Sequence, residues 1–275
     1  MTPNFIGVTG LPRAGSTLLC QMLAMHPDVH CEGHSSPLCN ALLGIRRMVS
    51  DDQFFLSQLD ASFDTGYAHL ASAMQGFLRG WHHDAGAKNA VVDKNRAWLH
   101  CIEMLLQIAP EAKLVVCIRE LGQIYGSIEA QHQKTILMDF HDHLADFDRF
   151  GRADMLFAKD KAIGMPLVSL HAVQDLPAEV QKRLYFLRFE DMMDRPAACM
   201  SHLFDWLGLS PFEIDPEQLE TGIRESDSHY RMKYPHSQHQ RIVKPERHGI
   251  SPRIQAQVEN AYAWYYQTYY PDKKQ

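Results

Sequence analysis

The sequence predicts an α/β fold, a three-layer sandwich of helices about a central parallel sheet. Three observations predict it. Short, largely apolar runs recur at FIGV (5–8), AVVD (90–93), KLVVCI (113–118) and LYFLRF (184–189), the pattern of strands covered on both faces. Segments with helical apolar spacing lie between them, and such alternation with short links implies parallel strands and right-handed crossovers. A turn of small residues, LPRAGST (11–17), joins the first strand to the first helix. In that geometry backbone N–H groups and a helix N-terminus converge on an anion.

From the N-terminus, Gly10 and Gly15 bracket the turn, and Ser16 to Met25 reads as a helix with Leu18, Leu19, Met22 and Leu23 able to share a face. His26-Pro27 ends it. Val29 to Cys31 reads as a short second strand and EGHSSPL (32–38) as a loop. Helical spacing returns from Cys39 to about Met48 and from Gly66 to about Leu78, with GWHHDAGAK (80–88) as a connector. The strand at 90–93 is followed by an amphipathic helix, Ala97 to Ile108, ending before Pro110. KLVVCI runs at once into Arg119 and a helix through about Gln133. A charged, mainly helical insertion occupies about 135–182. After the strand at 184–189, a helix from Ala197 to Leu207 closes on Gly208, a good C-cap. Residues 226–253 are polar and histidine-rich and read as a lid or flap, and Ile254 to Tyr269 as a closing helix with an aromatic face. Nothing reads as a repeat or linker, so residues 1–275 are expected to form a single domain.

Composition narrows the function classes. The 275 residues suit one large α/β domain or two small ones, and 45% hydrophobic with 22% charged residues is ordinary globular protein. A net charge of -6 argues against a nucleic-acid surface. No apolar run approaches membrane-spanning length, and the first residues do not resemble a signal peptide. Six cysteines form no CxxC pair; reduced thiols in a cytoplasm are the expectation. The histidines show neither HExxH nor finger spacing, so no metal is expected.

The turn decides between chemistries. Gly10 and Gly15 have the spacing of GxxxxGK[ST], but Ser16 holds the lysine position and the cation has moved forward to Arg13. The loop then offers backbone donors, the Ser16 and Thr17 hydroxyls and one guanidinium. That set suits an oxyanion carrying less charge than a triphosphate tail.

PRAGSTLL (12–19) resembles the 5'-phosphosulfate loop, PKSGTTxL or PRSGTTxL, of the sulfotransferases that use 3'-phosphoadenosine-5'-phosphosulfate (PAPS). With MLAMHPDVHC (22–31) it is most similar to their tyrosylprotein branch. The resemblance implies the sulfotransferase variant of the phosphate-loop NTPase fold. It implies 5'-phosphosulfate binding by Arg13, Ala14, Gly15, Ser16 and Thr17. Arg119, ending a strand, and Ser127, eight residues on, resemble the family's 3'-phosphate motif, and an arginine fork with a hydroxyl near a helix start suits a phosphate monoester. LRFEDMMDRPAACMSHLFDWLGL (187–209) looks like the RYEDLxxxP…LxxFLGL scaffold segment, with Phe189 in place of tyrosine. RIVKPERHGISPR (241–253) resembles IKPVNVGALSK, which would bring Lys244 and Arg253 over the nucleotide.

The implied reaction is direct in-line transfer of SO3 from PAPS to an acceptor hydroxyl, with no covalent protein intermediate and no metal. Arg13 and Lys94, which matches a lysine of the branch's NKDP segment, would stabilise charge. EGHSS (32–36) falls on the branch's GEETR, so His34 takes the place of the catalytic Glu. Imidazole titrates near working pH, which suits a base; Glu32 is the substitute if the alignment shifts by two. Ser36 stands where the branch carries an arginine, which weakens the match to acidic peptide substrates. The acceptor stays open among small molecule, peptide and carbohydrate hydroxyls, and so does a homodimer. Residues 36–85 and 135–180 are expected to build the acceptor pocket, with Phe54, Phe55, Phe63, Tyr67 and Trp81 expected in the core. Two alternatives stand beside this reading. One is a kinase or NTPase in which Asp93 holds magnesium through Thr17. The other is a catalytically idle nucleotide-binding protein of the same fold.

Overall fold

The computed structural model describes residues 3–219 and 239–272. The first half of the chain runs β1 (Asn4–Gly10), α1 (Ser16–Ala24), β2 (Val29–Ser35), α2 (Leu38–Ser50), α3 (Gln53–Ala61), α4 (Phe63–Trp81), β3 (Ala90–Lys94), α5 (Ile102–Ile108), β4 (Lys113–Ile118) and α6 (Leu121–Lys134). The second half supplies α7 (Arg149–Phe157), α8 (Gly164–Ala172), α9 (Ala178–Gln181), β5 (Leu184–Arg188), α10 (Phe189–Asp194), α11 (Pro196–Leu207), α12 (Pro252–Ala261) and α13 (Ala263–Tyr269). The five strands form one parallel sheet in the order β2-β3-β1-β4-β5. The apolar runs of β1, β3 and β4 occupy its centre, and Val8, Val115 and Val116 are fully buried.

The pairing of β1 with β3 sets which residues share a face. Gly7 lies opposite Asp93, and Val8 opposite Lys94. Side chains alternate along a strand, so Asp93 and Lys94 leave the sheet on opposite sides. The indole of Trp98 donates to Asp93 Oδ1 at 2.6 Å, whereas Lys94 Nζ donates to Thr17 Oγ1 of α1 at 3.2 Å.

Several expectations change. The loop at 32–38 is strand through Ser35, and β2 carries an irregularity there. From Cys31 to Ser35 its four steps face only the two from Val92 to Lys94 on β3, and Gly33 sits at φ 78°. The helix at 97–108 is shorter, because the Asn95 side chain captures the Ala97 amide at 2.8 Å and Trp98 turns inward to Asp93. The closing helix divides at Tyr262, whose hydroxyl donates to the Phe157 carbonyl at 3.0 Å. The aromatic residues expected in the core are largely on the surface: Phe54, Phe63, Tyr67 and Trp81 are all exposed. Of the lid at 226–253, residues 226–238 lie outside the described residues. Residues 239–251 have no helix or strand but cross α6, where the His248 amide donates to Gln123 Oε1 at 2.8 Å.

The insertion is fastened by a buried ion pair. Arg152 of α7 donates to Glu129 of α6 through Nε at 2.8 Å and Nη2 at 2.6 Å, and both side chains are more than nine-tenths buried. Burial pushes the Glu129 carboxyl up, but the hydrogen bonds from Arg152 and Gln133 outweigh it and hold it below its ordinary value. Arg152→Ala leaves the carboxylate buried without its cation and is expected to cost about 3–5 kcal/mol, measured by urea unfolding at pH 7. A depressed carboxylate contributes stability above its unfolded pKa and loses it as pH falls through the folded one. The gap between variant and native chain should therefore shrink on acidification below about pH 4.3.

Candidate active site

The loop after β1 is built from unusual backbone. Gly10 has φ 118°, and a Cβ there would lie 2.1 Å from the Cys117 carbonyl oxygen of the neighbouring β4, so only glycine fits at this strand end. Arg13 sits at φ 58°, a left-handed conformation that costs a non-glycine residue about 1–2 kcal/mol. Its carbonyl accepts from Arg119 Nη1 at 2.9 Å, which helps hold it there. Gly15 is the N-cap of α1, and the first intrahelical bond is from the Leu19 amide to the Gly15 carbonyl. The amides of Ser16, Thr17 and Leu18 lie upstream of that bond, at the positive end of the helix.

These groups face a cavity of about 330 Å³. One wall is the loop, with Arg13, Gly15, Ser16 and Thr17; a second is Arg119 just after β4 and Ser127 at the end of the second turn of α6. Arg13 Nε donates to Ser127 Oγ at 3.2 Å, so the two expected phosphate sites form one continuous surface. Phe189 forms the floor, 4.2 Å from ring centre to the Arg119 guanidinium carbon. Four arginines line the cavity (Arg13, Arg96, Arg119 and Arg241), and no carboxylate does among the described residues. In a chain of net charge -6 that is a strong local bias toward an anion.

Arg119 is 7% exposed, and its Nε is buried without a hydrogen-bond partner. Burial, opposed by Glu190, lowers its pKa. The strand end that carries it is held from behind. Tyr265 donates to the Arg119 carbonyl at 2.8 Å, Tyr266 to Glu120 Oε1 at 2.6 Å, and Tyr270 to Glu190 Oε2 at 2.8 Å. Burial pushes the Tyr266 and Tyr270 phenols up, so at neutral pH they remain donors. The aromatic face of the last helices thus clamps the Arg119 backbone.

The other expected residues divide. Ala14 is buried beneath the loop. Lys94 is 6% exposed and reaches the site through Thr17. Lys244 lies beside the cavity and pairs with Asp194. Arg253 is not brought in; its guanidinium stacks on Phe150, 4.6 Å from the ring centre. His34 and Glu32 do not line the cavity but contact each other, Nε2 to Oε2, at 2.9 Å, both half-exposed on the irregular stretch of β2. Two residues on, the Ser36 amide donates to the Lys94 carbonyl at 2.9 Å, which ties this stretch to the cavity wall. The Ser36 hydroxyl accepts from the Leu38 amide at 3.0 Å. Sequence reasoning missed Arg96, Arg241, His248 and the floor role of Phe189. Of these, Arg96 carried a signal, following β3 by two residues at the carboxyl edge of the sheet.

The geometry does not favour a magnesium-dependent NTPase. Asp93 is buried on the sheet face opposite Thr17, bonded to Trp98, and burial raises its pKa. The residue that meets Thr17 is Lys94, a cation where a metal-binding carboxylate would be needed.

A parallel sheet whose first strand feeds a glycine turn and helix N-terminus, with cations gathered at the strand ends, defines a class of α/β proteins that bind phosphate-like esters. Within that class the chain belongs to the sulfotransferase family, whose sequence model matches residues 3–213. A stretch of 117 residues is 34% identical to protein-tyrosine sulfotransferase 1 of Danio rerio, covering 42% of this chain and 32% of that protein. The same stretch length is 32% identical to protein-tyrosine sulfotransferase 1 of Homo sapiens, covering 30% of it. The matched stretch thus spans about a third of the length of these relatives. Two solved structures share the fold across 95% of the chain. They are the sulfotransferase domain from the curacin biosynthetic pathway (TM-score 0.53, 17% identity, 98% of that domain covered) and that from the Synechococcus PCC 7002 olefin synthase (0.54, 16%, 95%).

Proposed function

We propose that this chain transfers a sulfuryl group from PAPS to an acceptor hydroxyl. The observation that carries the reading is the cavity itself: four arginines, no lining carboxylate, and a buried guanidinium nitrogen of Arg119 without a protein partner. The residues fit a donor with two anionic ends. Arg13, Gly15, Ser16 and Thr17 would hold the phosphosulfate at the start of α1, and Arg119 with Ser127 the 3'-phosphate. When bound, the donor supplies an activated sulfuryl group on a phosphate; the remaining tasks fall to the chain. Arg13 and Lys94 stabilise charge on the departing phosphate oxygen. His34 takes the acceptor proton at Nδ1, while Glu32 fixes the ring through Nε2. A tyrosyl hydroxyl is the acceptor that the relatives' name points to, but Ser36 supplies no cation for an acidic peptide.

The test is a thermal-shift titration with adenosine 3',5'-bisphosphate, with ATP–magnesium and AMP in parallel. A ligand that binds only the folded chain adds about 2.7 kcal/mol at a hundredfold excess over Kd. Stabilisation by the bisphosphate alone supports the reading, and stabilisation by ATP–magnesium alone ends it.

His248 offers an independent check. Burial, then the charges of Arg119 and Arg13, hold its pKa below the ordinary value of 6.5. An anion placed among those arginines offsets their repulsion, so saturation with the bisphosphate should raise the His248 pKa, followed by NMR titration of the ring. An unchanged titration would place the anion elsewhere.

A further inference from the structure

On the sheet face opposite α1, three separate segments bring metal-type ligands together. His30 comes from β2, where it pairs in register with Val91 of β3, Glu32 from the irregular stretch that follows, and Asp84 from the turn after α4. One ligand atom of each lies within 4.8 Å of the others. His30 Nε2 is 3.6 Å from Asp84 Oδ1. That is too long for a hydrogen bond. It is close to the separation of about 3.4 Å between two ligands of a tetrahedral ion bonded at about 2.0–2.1 Å.

The buried side of the cluster supplies a second observation. His30 Nε2 is buried and has no hydrogen-bond partner. Behind it the His82 side chain is 9% exposed, and its Nε2 is likewise buried and unpartnered, 3.6 Å from an unpartnered oxygen of Asp93. The two imidazoles meet edge to face, ring centres 6.5 Å apart. Buried polar atoms are nearly always satisfied, and leaving one without a partner costs about 1–3 kcal/mol. The His30 nitrogen beside the carboxylates of Glu32 and Asp84 is accounted for by a cation that the carboxylates admit and the imidazole ligates, while His82 faces Asp93 and closes the buried side. By contrast Asp139, His143 and Asp146 also approach one another, but all three are exposed, and none of their atoms is buried without a partner.

We propose that His30, Glu32 and Asp84 form a binding site for a divalent first-row transition-metal ion. One imidazole nitrogen with two carboxylate oxygens suits Zn²⁺, Co²⁺ or Mn²⁺ rather than Mg²⁺ or Ca²⁺, which prefer oxygen alone. Glu32 also holds His34 at 2.9 Å, the kind of outer partner that orients a ligating carboxylate. The ion therefore lies one hydrogen bond from the proposed base.

The test is calorimetric titration of the EDTA-treated full chain with Zn²⁺, with the visible absorption of Co²⁺ as a second readout. One ion per chain is expected, with affinity at least tenfold weaker in Asp84→Asn and in His30→Gln, unchanged in Asp146→Asn, and no competition from equimolar Mg²⁺. Asp84 is half-exposed, so Asp84→Asn should match the native Tm in EDTA, and this variant decides if His30→Gln folds poorly. No saturable Zn²⁺ uptake, equal affinity in Asp84→Asn, or uptake lost in Asp146→Asn would overturn the proposal. The readout needs neither donor nor acceptor, so its failure leaves the sulfuryl-transfer reading intact.

Discussion

His34→Ala is expected to lower kcat by about 10²- to 10⁴-fold, the usual contribution of a positioned base, while affinity for adenosine 3',5'-bisphosphate stays within twofold. The separation follows from the structure: His34 contacts Glu32 on the edge strand and is not among the residues lining the donor cavity. Glu32→Gln keeps a side chain beside the ring but replaces the carboxylate that fixes its proton on Nε2. Its loss in kcat should be smaller, with the same unchanged donor affinity. Single-turnover rates with saturating PAPS measure both. A kcat in His34→Ala within threefold of native would remove His34 from the chemistry and leave the acceptor activated by another group.

The second large effect is at Arg119. Its replacement by alanine is expected to weaken bisphosphate binding about 10²-fold, since each hydrogen bond to a charged partner contributes about 1.5–3 kcal/mol. Arg119→Lys should recover little of that. The guanidinium spans the Arg13 carbonyl and the Phe189 ring at once, and an ammonium cannot do both. Because the Arg119 carbonyl is held by Tyr265, the strand end should survive either change. A Tm without ligand close to native, together with lost stabilisation by ligand, separates lost binding from lost folding. Binding that persists in Arg119→Ala would move the 3'-phosphate to Arg241 or Arg96.

What could be read from the sequence followed from strong local signals. β1, β4 and the loop declared themselves because apolar runs end in glycine or arginine where a parallel sheet places its ligand groups. The irregular stretch of β2 was hidden. Glu32, Gly33 and His34 are poor strand formers, and the pairing of the flanking Cys31 and Ser35 with β3 carries them along the sheet edge. The cations from 239–248 and the Phe189 floor arise from contacts between segments more than fifty residues apart, which no local pattern encodes. Arg253 followed its helix outward to Phe150, away from the position that motif matching assigned. The opposite facing of Asp93 and Lys94 was available all along from the two-residue period of a strand.

That facing makes the identity of the bound anion a matter of reading frame. A shift of one residue in the pairing of β3 that brings Asp93 opposite Val8 would put its carboxylate on the face of Thr17 and turn the Lys94 ammonium to the other face of the sheet. The loop would then present hydroxyl with carboxylate, which suits hydrated magnesium on a triphosphate, in place of hydroxyl with ammonium, which suits an ester anion alone. Point substitutions would have to change both residues, and each would bury the wrong charge on the way. A one-residue change in chain length between Ala85 and Ala90 reverses both facings in one step, so deletions and insertions there, more than substitutions in the loop, are where this scaffold could change the cargo it accepts.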